Sequence, residues 1–276
     1  MQFFDETAGR FIELPDAPRR IVSLAPDITD MLFRLVPADH IAGISLYCRR
    51  PYGRLGGLPR VGAYLKVITS RLEAARPDLV LTTLGAQRET TLRLRKAGYP
   101  VFSIPVPTSM WGVLDNFLRI GMVVNQWEKA AQQAADLHQQ AAQLHHSLPP
   151  YRVYWEVDLG GPITAGQTSY VHQALHWIGL ENIYGHRREG YFKPDDQQTL
   201  EARPDIILYE PKKDYDSDRR QKLLEQLRER WGAQIPIIIL PHDYLSHYGP
   251  ALIDEVMPGL IHRIKHVWVE RGIKAS

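Results

Sequence analysis

The sequence predicts an α/β protein: two similar lobes with mostly parallel sheets, joined by one long α-helix, with a ligand cleft between the lobes. Three observations lead there. The phrase LEAARPDLVL at 72–81 returns about 130 residues later as LEARPDIIL at 200–208. Short apolar runs alternate with helix-like segments in both halves, the rhythm of a helix-covered parallel sheet. Between the halves lies a stretch free of Gly and Pro.

In the repeated phrase a short helix ends at Arg-Pro, because Pro77 and Pro204 supply no N–H and crowd the preceding turn. Asp78 and Asp205 then open apolar runs of strand length, DLVLTT and DIILYE. Runs without alternation suit strands buried on both faces.

RRIVSLAP (19–26) reads as the first strand, and DITDMLFRLV (27–36) as a helix with Met31, Leu32 and Leu35 on one face. IAGISL (41–46) is a strand. Residues 47–67, punctuated by Gly53, Gly56, Gly57, Gly62, Pro51 and Pro59, form a long loop. Strand 78–83, a helix from Arg88 to Ala97 closed by Gly98, and strand 100–105 complete the first half. In the second half, strands are expected at 152–157, 205–210 and 235–240. Helices are expected at 169–180, at 217–232, and from Pro250 to Glu270 with a kink at Pro258.

From Asn125 to Leu148 strong helix formers dominate. About 24 residues at 1.5 Å each predict a rod of roughly 36 Å. The expected organisation is an N-terminal lobe at 1–122, a connecting helix at 123–150 and a C-terminal lobe at 151–276. Such a connector keeps the lobes from swinging far apart, which leaves the cleft largely preformed.

Composition narrows the function. The chain of 276 residues is 44% apolar and 23% charged, with a net charge of +2. That is ordinary globular composition. Arg pairs are scattered rather than striped, so no nucleic-acid partner is expected. No apolar stretch approaches the roughly 20 residues of a membrane span. The single Cys48 excludes an internal disulfide and a Cys-based metal cluster. The N-terminus MQFFDETAGRF lacks a basic segment followed by an apolar core, so no secretory signal is read in it.

The usual catalytic signatures are missing. GRLGG (53–57) lacks the strand-before, helix-after setting of a phosphate loop, TAGQTSY (164–170) is no nucleophile elbow, and HEXXH is absent. His172 and His176 fall one helical turn apart without a third ligand at suitable spacing. His242 and His247, in PHDYLSHYGP, follow a strand's C-terminal end, where ligands of α/β folds gather. An enzyme reading would need a titratable cluster from Asp27, His172, His242 and Asp243. The aromatics are better placed: Tyr47, Tyr64, Trp155, Tyr170, Tyr191, Phe192, Tyr244 and Tyr248 lie at strand ends or in loops. They suit a groove for a large, flat, partly polar ligand.

The segment FDETAGRFIELPDAPRRIVSLAPDITDMLFRL resembles the opening of bacterial substrate-binding proteins that serve cobalamin, haem and ferric-siderophore ABC importers. The likeness runs on through GISLYCRRP, LPRVGAYL, ARPDLVL, TAGQTSYVHQALHWIGLENIYG, ARPDIIL and YGPALID. It implies two Rossmann-like lobes on a helical backbone and a non-enzymatic, monomeric periplasmic binding protein with no intrinsic cofactor. The implied ligand is a metal chelate: cobalamin first, haem or ferric siderophore next. Tyr47, Tyr64 and the Tyr191–Phe192 pair match corrin-contacting positions. Tyr170, His242 or His247 would be haem ligands; Arg49, Arg50 and Arg88 would serve a siderophore. The expected ligand-binding set is Pro26, Tyr47, Tyr64, Gln87, Trp155, Tyr170, Tyr191, Phe192, His242 and Tyr244, with no bound metal ion.

Two departures qualify the likeness. The glutamates by which such proteins dock on an ABC permease stand seven residues before the Pro of the strand entry. Here those positions are Ser70 and Gln197; Glu73 and Glu201 lie later in the helices. With the missing signal segment, this leaves a second expectation, a cytoplasmic relative that binds or modifies a metal chelate without transporting it.

Overall fold

The computed structural model describes residues 1–5 and 9–270. The chain divides into two compact units, Met1–Pro107 with Val113–Leu137 (unit 1), and Thr108–Gly112 with His138–Ser276 (unit 2). Both are α/β with mainly parallel sheets, the fold class the sequence predicts.

Unit 1 opens with an antiparallel hairpin, β1 (Gln2–Asp5) and β2 (Arg10–Glu13). The sequence reading passes over this hairpin. Phe3 packs it down, edge-on to Phe102 at 5.8 Å. The central sheet runs β5-β4-β3-β6-β7, built from β3 (Ile21–Ser23), β4 (Ile41–Ser45), β5 (Arg60–Gly62), β6 (Leu79–Thr83) and β7 (Val101–Ile104). All four pairings are parallel. Strand β5 breaks the expected 47–67 loop; at three residues it is too short to show a period. Helices α1 (Pro26–Leu35), α2 (Thr69–Ala75) and α3 (Arg88–Lys96) provide the connections. β6 is buried along its whole length, as its unbroken apolar run requires.

The repeated Arg-Pro-Asp works as a joint. Arg76 ends α2 in the left-handed region (φ 44°) and Arg203 adopts φ 49° at the matching place in unit 2. The helical runs therefore end at Ala75 and Glu201, two and three residues before the proline. Asp78 then accepts the backbone N–H groups of Arg19 and Arg20, just before β3, and Asp205 accepts that of Arg152 at the start of β8 (Arg152–Asp158).

Unit 2 centres on β8, which pairs in parallel with β12 (Ile206–Glu210) and β10 (Glu181–Asn182), and antiparallel with β9 (Pro162–Ala165). β13 (Ile237–Ile239) extends the parallel side, and β11 (Tyr191–Phe192) pairs antiparallel with β9. Helices α6 (Tyr170–Trp177), α7 (Asp196–Glu201) and α8 (Ser217–Trp231) begin at the side-chain caps Ser169, Asp195 and Asp216. β9, β10 and β11 are two to four residues long and carry little sequence signal.

The connecting segment needs correction. Of the helix expected over 125–148, α5 (Trp127–Gln143) forms the middle part, and a separate helix, α4 (Met110–Val123), precedes it. Asn125, at φ 56°, turns the chain, and Gln126 donates its N–H to Gly121 O at 2.7 Å. α5 is about 26 Å long rather than 36. It ends early because residues 146–148 leave helical bonding for unit 2: His146 N–H donates to Trp177 O and Leu148 N–H to Ile178 O, both at 2.9 Å. Residues of α5 up to Leu137 belong to unit 1, and those from His138 to unit 2. The sequence reading passes over α4, although Met110, Val113, Leu114, Phe117, Ile120 and Val123 recur at helical spacing and are all buried.

The C-terminal helix also differs. A π-helical turn, Leu252–Val256, precedes α9 (Met257–Glu270). The π turn runs unbroken into α9, so Pro258 lies within one continuous helical run from Ala251, and the irregularity expected at this proline takes the form of the widened turn directly before it. Among the described residues no helix is long and apolar enough to cross a membrane.

Candidate functional site

Because the central strands of unit 1 are parallel, their C-terminal ends share one edge of the sheet. The residues just after β3, β4, β5 and β6 collect there, and among them are Pro26, Tyr47, Tyr64 and Gln87. The chain runs from β3 to β4 on one side and from β6 to β7 on the other, so β3 and β6 form the switch point at which α/β sheets open a crevice.

Gln87 fills that crevice. It is fully buried. Its Nε2 donates to Leu24 O (2.8 Å) and Tyr64 O (2.7 Å), and its Oε1 accepts from Thr83 N–H (2.8 Å) and Thr83 Oγ1 (3.1 Å). Two donors and two acceptor positions complete the capacity of a glutamine amide. All of its polar atoms are therefore occupied by protein.

Around this plug the edge is apolar. Leu46 and Tyr47 directly after β4, Tyr52 further along that loop, and Leu65 and Ile68 after β5 are exposed at 47%, 46%, 58%, 55% and 37%. Tyr64 is half-buried, its hydroxyl 2.7 Å from Thr83 Oγ1. Of the three arginines matched to siderophore binding, Arg49 and Arg88 are exposed, while Arg50 is buried with its guanidinium 5.0 Å from the Tyr52 ring centre. Sequence reading misses Leu46, Tyr52, Leu65 and Ile68. Their signal is weak: apolar side chains placed just beyond strands rather than within them.

The corresponding edge of unit 2 is held by Glu210, the last residue of β12 and fully buried. Its carboxylate accepts the N–H groups of Tyr244 and Leu245 at 2.9 Å and of Ser246 at 3.1 Å, together with the Ser246 hydroxyl. Burial pushes its pKa up, and the bonds from Ser246 and the Tyr244 backbone oppose that. Tyr170 is buried at the start of α6 and donates its hydroxyl to Leu245 O at 2.9 Å. Burial raises its pKa well above the ordinary tyrosine range, so it remains a neutral donor. Its ring lies 6.4 Å from that of Tyr191 and 5.5 Å from that of Tyr248.

The other predicted residues of unit 2 divide by exposure. Trp155 is buried in the middle of β8, and Tyr244 is buried with its hydroxyl on Val256 O at 3.2 Å. His247 is buried, its Nδ1 3.2 Å from Asp243 Oδ2. His242 is half-buried, with Nδ1 3.2 Å from Pro211 O. Phe192 is half-buried under the Arg187 guanidinium, 4.5 Å from its ring centre. Tyr191 is exposed at 39%. His172 and His176 stack 6.2 Å apart at 12°, and among the described residues no three or more His, Cys, Asp or Glu are placed to hold a metal ion.

A concavity of about 400 Å³ lies at the other end of the unit 1 sheet, lined by Arg10, Phe11, Arg95, Tyr99 and Pro100 among others. It includes none of the sequence-predicted residues. Arg10, Glu13 and Arg95 bring charge into its lining beside the exposed Phe11, whereas the C-terminal edge holds the switch point at which ligands of α/β folds gather. The latter is the candidate site.

Residues 21–234 match the family model described as "Periplasmic binding protein". A cobalamin-binding protein of Halobacterium salinarum is 25% identical over 211 residues, covering 74% of this chain and 57% of that protein's length. A vitamin B12-binding protein of Pectobacterium atrosepticum is 23% identical over 248 residues, covering 86% of this chain and 85% of its own. Among solved structures, an ABC-type Fe3+-hydroxamate transport protein of Saccharomonospora viridis superposes with a TM-score of 0.76 at 20% identity, covering 97% of this chain and 98% of that one. This last likeness shows the fold.

Proposed function

Because the chain belongs to the periplasmic binding protein family, we propose that it is a non-catalytic carrier of a bulky metal chelate, a corrinoid such as cobalamin first and a ferric siderophore or haem next. The observation that carries this reading is the exposed apolar set Leu46, Tyr47, Tyr52, Leu65 and Ile68 at the C-terminal edge of unit 1. An apolar, aromatic surface on short loops above a rigid sheet is suited to stacking on a wide ring system. The cobalamin and vitamin B12 binders among its relatives support the ranking of ligands.

In this reading the loaded protein hands its ligand to an ABC permease on the extracytoplasmic side of the membrane, with α2 and α7 as the docking helices. Ser70 and Gln197 are both exposed and uncharged there, and Gln197 donates to Glu201 at 2.8 Å. This supports the second reading, a relative that holds a chelate without a permease, since docking charges mainly guide encounter. Calorimetric titration with cyanocobalamin, haemin and a ferric hydroxamate tests the binding. Saturable heat with cyanocobalamin is the expected result; no heat from any of the three at tens of micromolar refutes it.

A further inference from the structure

We infer that Gln87 and Thr83 are positioning residues that commit the Tyr64 hydroxyl proton to the protein and fix the β5 loop as an apolar wall. The inference rests on the proposed function and assigns a role within that site. The argument starts with proton counting. Thr83 Oγ1 carries one hydrogen and donates it to Gln87 Oε1 at 3.1 Å. In the 2.7 Å contact with Tyr64 it must then accept, so the Tyr64 hydroxyl is the donor. Tyr64 has no proton left for a guest, and its hydroxyl can meet one only as an acceptor.

The loop that carries Tyr64 is tied at every step. Gln87 Nε2 holds Tyr64 O at 2.7 Å, and Thr90 Oγ1 holds Leu65 O at 3.0 Å. Ala63 N–H donates to Lys66 O at 2.9 Å and Ile68 N–H to Val61 O at 2.8 Å. Gly62 lets the turn close: at φ 151° it passes within van der Waals reach of the Lys66 carbonyl, and a Cβ there would come 2.5 Å from that oxygen. Leu65 and Ile68 are thus displayed outward from a braced turn. A wall fixed before the guest arrives loses less entropy on binding than a loop that must order.

The experiment uses Tyr64→Phe and Thr83→Val, singly and together, in the full chain; the second substitution keeps the backbone N–H that donates to Gln87. Affinity for cyanocobalamin is measured by titration, and hydrogen exchange is followed at the Ala63 and Ile68 amides. Each single variant is expected to weaken binding ~2- to 10-fold, the range of one net hydrogen bond. The double variant is expected to bind no worse than the weaker single, because both changes cut the same link. Exchange at the two amides should quicken in the same variants. Losses that multiply in the double would mean that the hydroxyls act separately on the guest, and would overturn the inference. Unchanged affinity, or unchanged exchange, would also overturn it. Quickened exchange in a protein whose wild type takes up no chelate would show that the proposed function has failed while the loop brace exists, leaving it nothing to position.

Discussion

The Asp78 carboxylate holds the backbone amide of Arg20 at 2.9 Å and, through its other oxygen, that of Arg19 at 2.8 Å. One side chain at the start of β6 thereby sets where β3 begins. Asp205 repeats the device on Arg152 at 2.7 Å. Replacing either aspartate with alanine should cost about 1 to 3 kcal/mol, since backbone donors lose a charged acceptor. Urea midpoints check this; a change within measurement error for both would show that solvent replaces the carboxylate.

Arg230 bridges the buried Glu156 at 2.7 Å and the exposed Asp196 at 2.6 Å. Tyr154, also buried, donates its hydroxyl to Glu156. Arg230→Ala would leave a carboxylate inside unit 2 without its cation, a loss of about 3 to 5 kcal/mol. Adding Glu156→Gln should restore part of it, because the stranded charge is removed. A double variant no more stable than Arg230→Ala would contradict this account.

Burial, with His176 adding to it, lowers the pKa of His172 below 6.5. The unfolded chain therefore takes up a proton near pH 6.5 before the folded chain does. Stability from this group is full above about 6.5 and is lost as pH falls below it. Thermal melts from pH 8 to 5 should show a drop that His172→Gln reduces. Parallel curves for the two proteins would remove His172 as the cause.

Where α4 meets α5, a Cβ on Gly121 would fall on the Ala130 side chain. Gly121→Ala should therefore destabilise the corner by about 1 to 3 kcal/mol through overpacking, and Ala130→Gly in the same chain should relieve the clash. Chemical denaturation of the three variants measures both effects.

Tyr47 stands exposed directly after β4, and truncating it tests the aromatic edge most simply. Tyr47→Ala should weaken chelate binding by about 1 to 3 kcal/mol, as for a stacking anchor, with an unchanged melting temperature. Equal affinity in both proteins would exclude this ring from the contact.

Much of the fold was written locally. The strand runs at 78–83 and 205–210 and the helices around 88–97 and 217–232 announced themselves through apolar runs, period and caps, all properties of neighbouring residues. The repeated Arg-Pro-Asp marked the same joint in both units for the same reason. Strands β5, β9, β10 and β11 were not legible, because two to four residues become a strand only when a partner supplies hydrogen bonds. α5 stops short of Leu148 because His146 and Leu148 bond to the end of α6, which composition cannot express. Sequence likewise brought Pro26, Tyr47, Tyr64 and Gln87 to one sheet edge, since parallel strands place their following loops together. Which of them faces outward was decided by packing: a glutamine amide enclosed by backbone carbonyls, a backbone amide and a hydroxyl is held inside, while Tyr47, with no such enclosure, stays in solvent.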